Sequence, residues 1–147
     1  MLDMTVAPAT DTSLASDLLA VVARINRLAN QRVRLPLPFA QARLLSTIDA
    51  EGTARISDLA ALDHCSQPTM TTQVRRLEDA GLVSRTVDPD DARAVLISIT
   101  PQGIATLAQV RADRGNAIDP FLAQLDSSDR DTLAAAVDIM RGLLAQT

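Results

Sequence analysis

The stretch from Ser66 to Ala80 packs short polar side chains ahead of two adjacent cations. Ser66, Gln67, Thr69, Thr71 and Thr72 come first, with Pro68 among them, and Arg75 and Arg76 follow. Gln can bond adenine through two hydrogen bonds, and Thr can donate, accept or touch a thymine methyl. Short side chains let a helix approach base edges closely, and an Arg further along the same helix reaches guanine or a backbone phosphate. Ser66 is a good N-cap and Pro68 suits a first turn, so N–H groups at that end suit phosphate oxygens. A polar row opposite an apolar stripe is also what any solvated helix face shows.

A second charged group follows. Asp88, Asp90 and Asp91 crowd one turn, flanked by Arg85 and Arg93. An Arg at a hairpin tip can enter the narrow minor groove of DNA, where the negative potential is strongest. A neighbouring carboxylate can help by holding the guanidinium in one orientation. An ordinary Asp-Pro turn with surface ion pairs is the plainer alternative. A metal site is disfavoured, since the run lacks the glycine and distal Glu of a calcium loop.

Catalytic raw material is scarce. There is one His (His64), one Cys (Cys65) and no Cys/His zinc framework, G-x-G-x-x-G, P-loop or nucleophile elbow. We expect no enzyme, no metal and no cofactor. Cys65 precedes the Ser66 cap, where an apolar residue normally plugs the turn, and reads as a small buried hydrophobe rather than an oxidant sensor. Asp129 and Asp131 sit at a helix start, where carboxylates complement the dipole.

The elements that must position these groups are mainly helical. Leu14, Leu18, Val22, Ile25 and Leu28 recur at helical spacing from Thr12 to about Arg32. Pro36–Leu37–Pro38 stops that helix, and a second runs from Phe39 to near Asp49, closed by the turn Glu51–Gly52. Ser57 is expected to cap a short third helix with Leu59, Ala60 and Leu62 inward. The Ser66–Ala80 helix buries Met70, Val74 and Leu77, with Gly81 at its carboxyl end. Leu82–Thr86 and Val95–Ile99 read as strands flanking the polar turn Val87–Ala92. Pro101 begins a helix that Gly115 and Pro120 are expected to bend or break, and a last helix starts at Ser127 or Ser128. Short helix, tight turn, capped helix and hairpin together describe a winged helix-turn-helix. The expected fold class is mainly α with a small β-hairpin wing, flanked by amino- and carboxyl-terminal helices.

Composition sharpens some of this. The chain has 147 residues, one domain's length, and its 14 basic residues are all Arg. No apolar run approaches a membrane span, no basic region precedes an apolar run at the amino terminus, and a single Cys makes no internal disulfide. A cytoplasmic protein without membrane contact is expected. The net charge of −4 opposes bulk attraction to nucleic acid, yet residues 12–38 carry +3 (Arg24, Arg27, Arg32 and Arg34 against Asp17). Those arginines can receive a small anionic or aromatic effector, or simply form a solvated face. Residues 39–100 carry −3, which keeps open a winged helix used for protein contacts without sequence-specific DNA binding. Leu133, Val137, Met140 and Leu144, with Leu14, Leu18 and Val22, are expected to form a dimer core.

Three stretches, Ser66–Arg85 (SQPTMTTQVRRLEDAGLVSR), Asp88–Arg93 (DPDDAR) and Leu96–Gly103 (LISITPQG), resemble the MarR family of bacterial winged-helix regulators. The resemblance covers nearly the whole chain from Thr12 onward. It implies a homodimer on double-stranded DNA, each winged domain on a half-site of a near-palindromic operator, and most often a repressor. It divides the chain into a flexible amino terminus (1–11), a dimerisation region (12–36 and 101–147) and a DNA-binding domain (37–100). By match, Arg93 contacts the minor groove and Asp91 supports the wing. Two positions depart from the family's pattern: Ala92 and Thr72 stand where many members carry Arg. Fewer cations on that face imply weaker binding with a shallower salt dependence.

Overall fold

The computed structural model describes residues 12–147, so the loose amino terminus expected at 1–11 lies outside the described residues. Helix α1 (Thr12–Arg32) and helix α2 (Phe39–Glu51) are separated by the Pro36–Pro38 segment. The Pro38 carbonyl accepts from the amides of Gln41 and Ala42, starting α2. Gly52, at φ 73°, closes it in the left-handed region that glycine enters without a Cβ clash.

A short strand, β1 (Thr53–Arg55), comes next and was not legible as a strand. Three residues are too few for alternation to register, and β1 exists because it pairs with a later strand. Its last residue, Arg55, is extended and therefore becomes the N-cap of α3 (Ile56–Leu62), displacing the expected cap at Ser57 into the first turn. The α3–α4 turn passes through His64 at φ 51°, a conformation rare outside glycine and commoner for His than for most residues.

Helix α4 (Gln67–Asp79) is capped as its sequence predicts. The Ser66 hydroxyl accepts the Thr69 N–H at 3.2 Å, worth about 1 kcal/mol over Ala. Strands β2 (Val83–Asp88) and β3 (Asp91–Ile99) form the hairpin, and the antiparallel sheet order is β1-β3-β2. The hairpin departs from expectation. Its strands reach further toward the tip, and the turn shrinks to Pro89–Asp90. Val87 pairs with Val95 and Asp88 with Asp91, so Ala92, Arg93 and Ala94 have no opposite residues on β2. Such an irregularity bends a strand and re-aims its side chains.

Helix α5 (Pro101–Leu122) runs on through Gly115 and Pro120, where a bend or break was expected. Pro120 lies in the last turn, where its missing N–H removes one bond, and the Ala123 amide still reaches Asp119 O at 2.8 Å. Helix α6 (Ser127–Leu144) starts at Ser127, as expected, and is capped by Asp126, whose carboxylate accepts the Asp129 N–H. No helix among the described residues is long and apolar enough to cross a membrane.

Contacts gather the chain into two units, Arg34–Asn116 and residues 12–33 with Ala117–Thr147. The first unit has a core of Leu45, Ile48, Leu59, Met70, Val74, Leu77 and Ile97, all fully buried, with Leu107 of α5 joining them. Each such side chain contributes about 1.5–3 kcal/mol of burial. Thr100 ties the wing to α5. Its hydroxyl donates to Gly81 O at 2.6 Å and accepts from the Gly103 amide, while its own amide donates to Leu82 O.

Candidate nucleic-acid interface

Burial of Met70, Val74 and Leu77 turns the other side of α4 to solvent. Ser66, Gln67, Pro68, Thr69, Thr72, Arg75 and Arg76 are exposed there, and Thr71 is half-buried at the edge. Thr71 and Thr72 donate their hydroxyl protons back to the Gln67 and Pro68 carbonyls, at 2.8 and 3.1 Å. Outward they therefore offer methyl groups and acceptor lone pairs. Arg75 and Arg76 have no carboxylate partner among the described residues. The amide edge of α4 is narrower than its sequence suggests. Pro68 has no N–H and Ser66 takes that of Thr69, leaving only the Gln67 amide open among the first three helical residues.

The two wing arginines differ. Arg85, on β2, donates to the Glu78 carboxylate in the last turn of α4. Arg93 is exposed, lies in the out-of-register part of β3 and has no carboxylate partner among the described residues. Asp91 does not hold the Arg93 guanidinium. Its Oδ1 accepts the Arg93 backbone N–H at 3.0 Å, so the brace acts on the main chain.

Arg55 is the wing contact that sequence reasoning missed. Its Nε and Nη2 both donate to Asp88 Oδ2, at 3.1 and 2.5 Å, from a strand that ends 33 residues earlier. Asp88 Oδ1 accepts the Asp90 N–H at 2.9 Å, forming the tip's tight turn. Asp88 is buried, and its carboxyl is held below the usual carboxylate range, first by the Asp90 amide and then by the Arg55 side chain. The hydrogen bond to Asp88 and its charge push Arg55 above the ordinary guanidinium value. The only available signal was an acidic turn with more carboxylates than its flanking arginines could use.

The other candidates are dispersed. Cys65 is half-buried against the core and His64 is exposed. Arg24 and Arg27 line an open hollow of about 470 Å³ on α1 with Val21, Ile25, Leu28 and Gln31. Arg32 stacks over the Phe121 ring at 4.8 Å, and Arg34 is exposed. Leu14, Leu18, Val22, Leu133, Val137 and Leu144 are exposed, with Met140 half-buried. Among the described residues, no three His, Cys, Asp or Glu side chains gather to hold a metal.

Comparison with known proteins accords with this geometry. The MarR family model matches residues 37–95. The HTH-type transcriptional regulator MT0903.1 of Mycobacterium tuberculosis is 33% identical over 138 residues, covering 93% of this chain and 96% of the relative. The crystal structure of the transcriptional regulator Tm0710 from Thermotoga maritima superimposes with a TM-score of 0.73 at 25% identity, covering 91% of this chain and 95% of that one. A cysteine-to-serine mutant of MarR from E. coli, complexed with operator DNA, shares the fold with a TM-score of 0.58 at 23% identity, over 88% of this chain and 94% of its own. With its capped helix, three-stranded wing and flanking helices, the chain belongs to the MarR family of helix-turn-helix transcriptional regulators, a family of regulators and not of enzymes.

Proposed function

We propose that this protein is a homodimeric, cytoplasmic repressor that binds a pseudo-palindromic operator in double-stranded DNA. In this reading α4 enters the major groove with Gln67, Thr69, Thr71 and Thr72 toward base edges, and Ser66, Pro68, Arg75 and Arg76 toward the backbone or guanine. The wing places Arg93 in the adjacent minor groove, with Asp91 and Arg85 supporting it. The observation that carries the reading is a set of cations, Arg75, Arg76 and Arg93, with no carboxylate partner among the described residues, while Asp88 and Glu78 are taken by Arg55 and Arg85. Binding of operator DNA by a neighbour of the same fold supports it by analogy.

Residues 37–100 form the DNA-binding domain in this proposal, and 12–36 with 101–147 supply the dimerisation region. A dimer sets its two reading helices about one turn of DNA apart, ~34 Å, on one face. A small anionic or aromatic effector binding near Arg24 and Arg27 would release DNA by favouring dimers with a different spacing between readers. If a saturating effector released DNA while the distance between the two readers stayed unchanged, that mechanism would fail.

The test is fluorescence anisotropy with DNA from upstream of the protein's own gene, beside a scrambled duplex, across a salt series. Preferential binding that weakens with salt and falls in Arg93→Ala is expected. Equal, feeble binding to every duplex, with none recovered by random-sequence selection, would point instead to a protein-contact module. The acidic balance of residues 39–100 is the feature that favours that second reading.

A further inference from the structure

We propose that Arg55 is a positioning residue for DNA binding: by holding Asp88 it fixes the wing tip and so sets how Arg93 meets the duplex. The inference rests on the DNA-binding reading above. Four contacts form the chain of cause. Arg55 donates two hydrogen bonds to Asp88 Oδ2, and Asp88 Oδ1 fixes the Asp90 amide of the two-residue turn. Asp91, the first residue beyond that turn, accepts the Arg93 amide. Arg93 itself lies where β3 leaves the register of β2, so no ladder partner on β2 holds its backbone.

Position in the sheet explains why the task falls to Arg55. β1 is paired residue for residue with the regular part of β3, Arg55 opposite Leu96, and this regular part is anchored by the buried Ile97. Arg55 therefore extends a rigid strand's grip to the irregular tip. Asp88 is the one buried polar or charged residue among those described. A buried carboxylate is costly unless paired, and this one is paired on both oxygens, to Arg55 and to the Asp90 amide. Its presence makes sense where a fixed geometry is needed.

Arg55 is also half-exposed, so direct contact with a phosphate is the rival explanation, and salt dependence separates the two. The wild-type protein selects a duplex from a random-sequence pool. That duplex is then titrated by anisotropy across a salt series with Arg55→Gln, Asp88→Asn, the double variant, Arg55→Lys and Arg93→Ala. Asn at position 88 keeps the acceptor for the Asp90 amide. We expect Arg55→Gln to bind about three- to tenfold more weakly, with Arg55→Lys recovering part of the loss. Its salt slope stays that of wild type, whereas Arg93→Ala lowers the slope by about 0.9. The double variant binds no more weakly than the worse single one, because both act through one contact.

Three results would overturn the proposal. A slope reduced by about 0.9 in Arg55→Gln, with its full effect kept in the Asp88→Asn background, makes Arg55 a phosphate ligand. Unchanged affinity with a lowered urea midpoint makes the pair purely structural. Failure of the wild type to select any duplex removes the DNA-binding reading and this inference with it, a result distinct from the other two. Far-UV circular dichroism identifies any variant that does not fold, and Arg55→Lys then carries the same slope and affinity comparison.

Discussion

Arg85 of β2 and Glu78 of α4 form an ion pair seven residues apart, which couples the reading helix to the first strand of the wing. Both side chains are about one-third exposed, so the pair contributes at most about 1 kcal/mol to stability. Its larger consequence is for charge. A guanidinium already neutralised by a carboxylate displaces fewer counterions from DNA than a free one. In a salt series, Arg85→Ala is expected to lower the slope of log K against log salt by clearly less than the ~0.9 expected for Arg93→Ala. Equal reductions would mean that the pair opens on DNA and that Glu78 releases Arg85 to a phosphate.

Glycines in α5 should respond oppositely to alanine. A Cβ on Gly103 would lie 2.1 Å from Leu82 O and 2.7 Å from Ile99 Cγ1, both in the packed junction that Thr100 closes. Leu82 O is main chain at the entry to β2 and cannot yield without shifting the backbone there, so Gly103→Ala is expected to cost about 1–3 kcal/mol or to prevent folding. Gly115 has nothing within 4 Å of its would-be Cβ and lies inside the helix. There Ala restores helix propensity and should gain about 0.5–1 kcal/mol. Urea unfolding of the two variants against wild type measures both signs.

Sequence conveys some of these positions and not others. Ser66 and Gly81 announce themselves, because a cap and a left-handed turn each demand particular residue types, whereas the close approach at Gly103 leaves no such mark. Met70, Val74 and Leu77 were legible from spacing alone. The Arg55–Asp88 pair was not, because it joins positions 33 residues apart through a strand too short to leave a pattern. The displacement of Arg93 out of register was equally hidden, since it depends on which residues of β3 find partners on β2. His64 adopts its positive φ without the Gly or Asn that would have signalled it. Pro120 misled in the opposite direction: α5 keeps its helical path through it and ends two residues later, at Leu122.

Asp88 predicts how the wing responds to acid. Its folded-state carboxyl titrates below the unfolded value, owing first to the Asp90 amide and then to Arg55. Its stabilising contribution is therefore fully present above the ordinary carboxylate pKa, near 4, and is lost as pH falls through the lower folded value. The raised Arg55 value places that partner's titration in strong alkali, outside this range. Hydrogen exchange of the Asp90 amide should accelerate relative to core amides as pH drops below about 4. In Asp88→Asn this acid-specific loss should vanish, while an unaltered acid response in that variant would assign the effect to other carboxylates.

The terminal helices carry the strongest prediction about assembly. None of the described residues of α6 is buried, and Leu144 stands 72% exposed. On α1, Leu14 is 67% exposed, and Leu18 and Val22 continue its apolar row. Leu133, Val137, Met140 and Leu144 fall at i, i+4, i+7 and i+11, so they share one side of α6, while Ala135 lies opposite. Full burial of each large side chain is worth about 1.5–3 kcal/mol, which a second copy of the chain can supply. Sedimentation equilibrium should thus give twice the 15.7 kDa chain mass for wild type and a single chain mass for Val137→Asp. Ala135→Asp, with the same added charge on the opposite side, should remain a dimer. Loss of the dimer also removes the second half-site contact, so Val137→Asp is expected to bind operator DNA roughly a hundredfold more weakly. A monomeric wild type, or a dimer broken by Ala135→Asp and not by Val137→Asp, would place the association face elsewhere.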